Sequence, residues 1–135
     1  MTAKIHHQHR VALVDSDALQ RTCTGSSLRT AGIDHHSFEH LYGLIHAARE
    51  GGRFDAILFG LHADAAQQMA LMADVWSALG RRVGLFFLAH HTELRLAQLA
   101  LSQAGEGEGR SEVILSPASD DELRAMFHEG GVTHA

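Results

Sequence analysis

Short apolar runs alternate with longer amphipathic stretches along this chain, the pattern of βα units feeding a parallel sheet. The first run, Val11-Ala12-Leu13-Val14, ends at the polar Asp15-Ser16-Asp17 and predicts a buried strand. Ala18 to Ala31 predicts a helix despite Gly25 and several Ser and Thr residues, with Gly32 placed as a left-handed C-terminal cap. Asp34 to Phe38 is too polar to announce itself and is assigned a strand because the alternation requires one. Leu41, Leu44, Ile45 and Ala48 recur at helical spacing and give an amphipathic helix that stops at Gly51-Gly52.

Phe54 to Leu61 is apolar almost throughout and predicts a central strand buried on both faces. Asp64 can cap a single helix whose Met69, Met72, Val75, Trp76 and Leu79 line one side before Gly80. Val83 to Ala89 predicts the next buried strand, Thr92 to Ala104 a Leu- and Ala-rich helix, and Gly105 to Ser111 a flexible loop. Glu112 to Leu115 supplies a short fifth strand. Ser119-Asp120-Asp121-Glu122 has the S-x-x-E spacing of a capping box before Leu123, Met126 and Phe127. Five such units imply a three-layer α/β/α sandwich with right-handed crossovers, and chemistry in such folds gathers at the carboxyl ends of the strands.

At 135 residues, 45% hydrophobic and 20% charged, the chain fits one folded domain rather than two or a disordered segment. Its apolar runs fall far short of the roughly 20 residues that cross a bilayer. The N-terminus lacks the apolar middle of a secretory signal, and Cys23 is the single cysteine, so a reducing cytoplasm is the expected compartment. Eleven basic against 16 acidic residues give a formal charge of -5, which argues against nucleic-acid binding by this domain. The 12 histidines are unusual, because their joint protonation on mild acidification reverses the sign of the net charge.

The segments VALVDSD (11 to 17), FDAILFGLH (54 to 62), VGLFFLA (83 to 89), QAG (103 to 105) and VILSPASDDEL (113 to 123) together resemble the receiver domain of two-component response regulators, over roughly Arg10 to His128. The resemblance implies a flavodoxin-like (βα)5 fold with parallel strand order 2-1-3-4-5. It divides the chain into a disordered His-rich segment 1–9, a receiver-like domain 10–129, and a tail 130–135 that suits passage into an output domain of a longer protein.

In that family an acidic pair after the first strand holds Mg²⁺, an aspartate ending the third strand attacks the phosphoryl group, a Thr or Ser ends the fourth strand, and a Lys precedes the proline after the fifth. By the resemblance, the acidic pair falls on Asp15 and Ser16, the nucleophile on Gly60, the switch hydroxyl on Leu88 and the lysine on Ser116. Most of that chemistry is therefore missing, and Asp55 lies at the wrong end of its strand to substitute. The aromatic often found in the fifth strand is replaced by Val113, and the Ser116-Pro117 bond is expected to be cis. The resemblance thus implies a degenerate pseudo-receiver that keeps the architecture and loses phosphotransfer, and no catalytic residue is assigned.

Asp15, Asp17, His62 and His90 form a remnant acidic and imidazole set near the strand ends, which suggests a rival reading as a ligand-, metal- or pH-sensing domain using the emptied pocket. No metal and no cofactor is assigned, since GEGEG (105 to 109) lacks the context of a dinucleotide loop and no phosphate-binding G-x-x-x-x-G-K motif occurs. Thr24-Gly25-Ser26-Ser27 comes too late after the first strand to be a flavin phosphate loop, Cys23 reads as a packed thiol, and His35-His36 is given no role. Leu94, Leu96, Leu99 and Leu101 cannot all be buried on one side of a helix. With Val113 they mark the face through which receivers usually transmit, so a protein partner or a homodimer is expected there.

Overall fold

A computed structural model describes residues 10–104 and 108–129 of the chain. The expectations for 1–9, for Gly105 to Gly107 and for 130–135 lie outside the described residues. Five strands, β1 (Arg10–Val14), β2 (Asp34–Phe38), β3 (Ala56–Gly60), β4 (Gly84–Ala89) and β5 (Ser111–Leu115), form one parallel sheet in the order β2-β1-β3-β4-β5. The helices are α1 (Ala18–Thr30), α2 (Leu41–Arg49), α3 (Ala65–Met69), α4 (Met72–Leu79), α5 (Leu94–Ala104) and α6 (Asp120–Leu123). A single 3-10 turn, His91–Glu93, precedes α5, and α6 widens into a π-type turn over Arg124–Glu129. The flavodoxin-like arrangement expected from the sequence is present.

The period-2 alternation of the strands sorts the core into two layers. Ala12, Val14, Ile57, Phe59, Leu85, Phe87 and Ala89 pack under α2, α3, α4 and α5, whereas Val11, Leu13, Ala56, Leu58, Phe86, Leu88 and Ile114 pack against α1 and α6. Phe59 meets Phe87 edge to face on the first side, and Phe86 meets Phe127 likewise on the second. Each aromatic pair adds about 1 kcal/mol to the burial of its rings.

The caps follow sequence logic at both ends of the chain. Asp17 accepts from the backbone N–H groups of Leu19 and Gln20 and starts α1, and Gly32 leaves that helix with φ +79°, a conformation open to glycine at no steric cost. Ser119 and Glu122 close the expected capping box on α6, and the Ser116-Pro117 bond is cis.

Cys23, expected to be packed, lies on the exposed side of α1, and two further expectations fail. The helix after β3 is not continuous: Leu71 N–H bonds to Gln68 O, one residue closer than an α-helical bond, and separates α3 from α4. Asp64 stands at the start of α3 without capping it, because its carboxylate is already engaged by the Ser16 hydroxyl and the Gln68 amide.

Candidate functional site

The carboxyl ends of β1, β3 and β4 meet at Asp15, Gly60 and Leu88. Asp15 is fully buried, and its backbone N–H bonds to Phe38 O, which holds the first residue after β1 against the sheet. Its Oδ1 accepts from the Asp17 backbone N–H at 2.9 Å and from His62 Nε2 at 2.6 Å, and its Oδ2 accepts from Gln20 Nε2 at 2.8 Å. A buried carboxylate must be satisfied in this way, since each missing hydrogen bond costs about 1–3 kcal/mol.

The carboxylate also occupies space. A Cβ built on Gly60 falls well inside 3.0 Å of both Asp15 Oδ2 and Asp15 Cγ, a separation real Cβ atoms essentially never show, and lies 3.0 Å from Gln20 Nε2. Gly60 has the same strand parity as Ala56 and Leu58 and so opens toward α1, the helix that supplies Gln20. The absent side chain at 60 is what admits Asp15, and Asp15 in turn fills the place where a residue-60 side chain would begin.

The remaining positions divide clearly. Leu88 pairs with Gly60 in the sheet and is buried among Leu58, Phe86 and Ile114. Ser116 is half-buried, donates its backbone N–H to Ala89 O, and with Pro117, Gln20 and Cys23 lines a small cavity of 80 Å³. Ser16 turns to Asp64. Asp17 is exposed and joins the cluster through its backbone, and the Gln20 N–H bond holds its carboxyl below the usual carboxylate range, against a smaller opposing effect of desolvation. His90 is exposed, its backbone N–H donating to Glu93 Oε1, and it takes no part in the Asp15 cluster. Among the described residues no group of three or more His, Cys, Asp or Glu is arranged to hold a metal ion.

Sequence reasoning missed Gln20 and Gln68. Gln68 is buried, its Oε1 accepts the Leu41 N–H at the start of α2, and its Nε2 reaches His40 and Asp64, so it ties the α2 and α3 entries together. No spacing rule marks a glutamine that bonds to another element, and only the fold brings these atoms together.

The leucine set also sorts by contact. The core-facing positions of α5 are Ala97, Ala100 and Ala104, which leaves Leu94, Leu96 and Leu99 exposed at 38%, 40% and 56%. Leu101 and Val113 are half-buried against the core edge and are not part of the free surface, whereas Leu115 of β5 is 49% exposed and joins it. Among the described residues no helix is long and apolar enough to cross a membrane.

On the other edge, burial pushes the His35 imidazole below its ordinary value of 6.5 against the opposing hydrogen bond with the Ile33 backbone; nearby Arg29 and His36 add to the depression and Asp34 opposes it. The folded state thus disfavours a proton that the unfolded chain accepts. Stability is therefore expected to be fully present above pH 6.5 and to decline as the pH falls through and below that value. His35→Gln is expected to flatten this part of the curve in denaturant titrations between pH 7.5 and 5, and an unchanged slope would remove His35 from the account.

No protein-family model matches the chain. No curated protein matches it. Solved structures do. The receiver domain of a sensor histidine kinase from Pseudomonas aeruginosa, described with a magnesium ion coordinated in its active-site cleft, is similar at TM-score 0.69 and 21% identity, over 91% of this chain and 97% of that one. Chemotaxis protein CheY4 of Vibrio cholerae gives 0.70 and 15%, over 91% and 98% of the two chains. The receiver domain of NtrX from Brucella abortus gives 0.68 and 14%, over 92% and 99%. The chain has the receiver-domain fold. Within that fold, Asp15, Gly60, Leu88 and Ser116 stand at the carboxyl ends of β1, β3, β4 and β5, where open α/β sheets place their chemistry.

Proposed function

We propose that this chain is a signalling module of receiver fold that acts through protein contacts without aspartyl phosphorylation. The observation that carries the reading is the Asp15 carboxylate packed over Gly60. Aspartyl phosphotransfer needs a carboxylate oxygen free to attack and a metal to neutralise the transferring group. Here residue 60 has no side chain, and both oxygens of Asp15 are engaged by protein N–H donors. The same filling counts against the rival reading of an open sensing pocket over Gly60. The protein belongs in this proposal to the cytoplasm, where an exposed thiol such as Cys23 stays reduced.

The working surface is the exposed part of α5 with Leu115 of β5, and its occupant is a second copy of the chain or another signalling protein. At 100° per residue Leu96 and Leu99 lie together on one flank of the alanine stripe, so Leu99, the most exposed of the α5 leucines, is the residue to change. Leu99→Glu is expected to convert a dimer to monomer in light scattering with little loss of stability, because the side chain is outside the core. An unchanged mass would remove the homodimer from the account.

A further inference from the structure

The α1–β2 edge of the molecule carries a cleft that the reading above does not use. It has a volume of 370 Å³ and is lined by Arg21, Thr22, Gly25, Ser26 and Arg29 of α1 and by His35 and Ser37 of β2. The α1 residues fall at i, i+1, i+4, i+5 and i+8, which is one face of a helix. His35 and Ser37 are two apart and share one face of the edge strand. An α/β domain ordinarily packs an apolar helix face on its sheet, yet here two guanidiniums, an imidazole and three hydroxyls meet, with no carboxylate in the lining. The acidic residue of β2, Asp34, belongs to the opposite strand face, where it pairs with Arg10 at 3.7 Å.

Gly25 makes the cleft possible. A Cβ at that position would stand 3.2 Å from His35 Nε2 and 3.9 Å from Ser37 Oγ, so a side chain there would fill the floor. The Arg29 carbonyl accepts from Gly32 N–H, whereas its guanidinium makes no hydrogen bond or ion pair among the described residues; His35 is held by the Ile33 backbone, and the Asp17 carboxylate lies near Arg21. Arg21 spends one donor on the Asp15 carbonyl oxygen at 2.6 Å, and a guanidinium carries five N–H donors in a planar fork. Concentrated cationic donors in a chain of net charge -5 set up a local field that attracts an anion.

We propose that this cleft binds a small molecule carrying two phosphoryl groups, one taken at the Arg21 end and the other at the Arg29 end. Arginine is suited to phosphoryl oxygens through paired N–H bonds, and Thr22, Ser26 and Ser37 add neutral donors between the two ends. The eight steps from Arg21 to Arg29 span about 12 Å of helix, so the anionic groups are separated rather than adjacent. The cleft volume falls in the range of roughly 300–1,000 Å³ typical of small-molecule sites.

The test is an amide-resolved NMR titration of the full chain with three probes: fructose 1,6-bisphosphate for spaced phosphates, pyrophosphate for adjacent ones, and inorganic phosphate. The spaced bisphosphate is expected to give saturable shifts at Thr22, Gly25, Ser26 and Ser37 with a dissociation constant of about 1 mM or tighter, and to bind roughly tenfold better than inorganic phosphate. Arg29→Gln is expected to weaken it about tenfold, with Arg29→Lys recovering part of the loss. Because Arg29 is exposed in the last turn of α1, both variants should fold, and an unchanged amide spectrum elsewhere checks this. Equal affinity for all three probes, shifts that do not saturate, or an undiminished affinity in Arg29→Gln would each overturn the proposal.

Discussion

Gly60→Ala is expected to lower the stability of the domain by about 3 kcal/mol, a fall in Tm of roughly 10 °C for a chain of this size. One methyl group is a small addition, and at most glycines outside left-handed backbone it is tolerated. Here it would enter the space held by the Asp15 carboxylate. The carboxylate cannot simply swing outward, because doing so abandons the Asp17 N–H, the Gln20 amide and the His62 imidazole together. The cost therefore combines overpacking with lost hydrogen bonds to a charged group.

A double-mutant cycle isolates the cause. If the obstacle is Asp15, then Gly60→Ala should cost little in an Asp15→Ala background, with a coupling of about 2 kcal/mol between the two sites. Equal costs in both backgrounds would mean that something other than the carboxylate fills the space. The same logic explains why restoring an aspartate at position 60 is not expected to restore phosphotransfer. Gly60→Asp places its Cβ in the same occupied position before its carboxylate is even considered.

Asp15 itself is the second sensitive point. Asp15→Ala removes the acceptor for three donors at once, and since the site is shut off from solvent at Asp15, water replaces the carboxylate only from the side of His62, whose side chain is 23% exposed. A loss of about 3 kcal/mol is expected in urea unfolding. Asp15→Asn should cost only about 1 kcal/mol. The Asn oxygen can still accept from Asp17 N–H and His62, while Gln20 turns its amide and offers an oxygen to the new NH2 group. A large difference between Asn and Ala would identify Asp15 as a hydrogen-bonding hub. Equal losses would instead show that negative charge, rather than hydrogen-bond geometry, is what the site requires.

These two residues also show how far the sequence could be read. The strands were legible because continuous apolar runs at 11–14, 56–60 and 84–89 have few alternatives to burial in a central sheet. Even the polar Asp34–Phe38 was found by the demand of alternation, and its polarity is now explained by its place at the sheet edge beside the α1 cleft. Ser119 and Glu122 were legible because a capping box is local.

What was not legible depends on contacts between distant segments. The spacing of Met69, Met72, Val75 and Trp76 suits one helix, and no glycine or proline marks the break at Ala70 and Leu71. Gln68 is drawn instead into bonds with Leu41 and His40 of a neighbouring element. Asp64 looked like a cap and serves Ser16. The leucines of α5 are too widely spread around the helix to be buried together, and three of them are exposed; that the core would take Ala97, Ala100 and Ala104 and keep Leu101 half-buried was not legible. At the site, the sequence identified Gly60 as lacking a nucleophile but not what takes the place of one. That answer needed the separation of Asp15 from Gly60 across two strands.

The central claim is that the strand-end site is closed to phosphoryl chemistry by its own side chains. It is tested most directly by recording amide-resolved NMR spectra of the domain as Mg²⁺ and then beryllofluoride are added at constant pH. The account predicts no saturable shift at Asp15, Asp17, Gly60, His62 or Leu88 with either reagent, and no change along α5. A saturable, magnesium-dependent beryllofluoride response centred on those residues and carried to Leu94, Leu96 and Leu99 would contradict it.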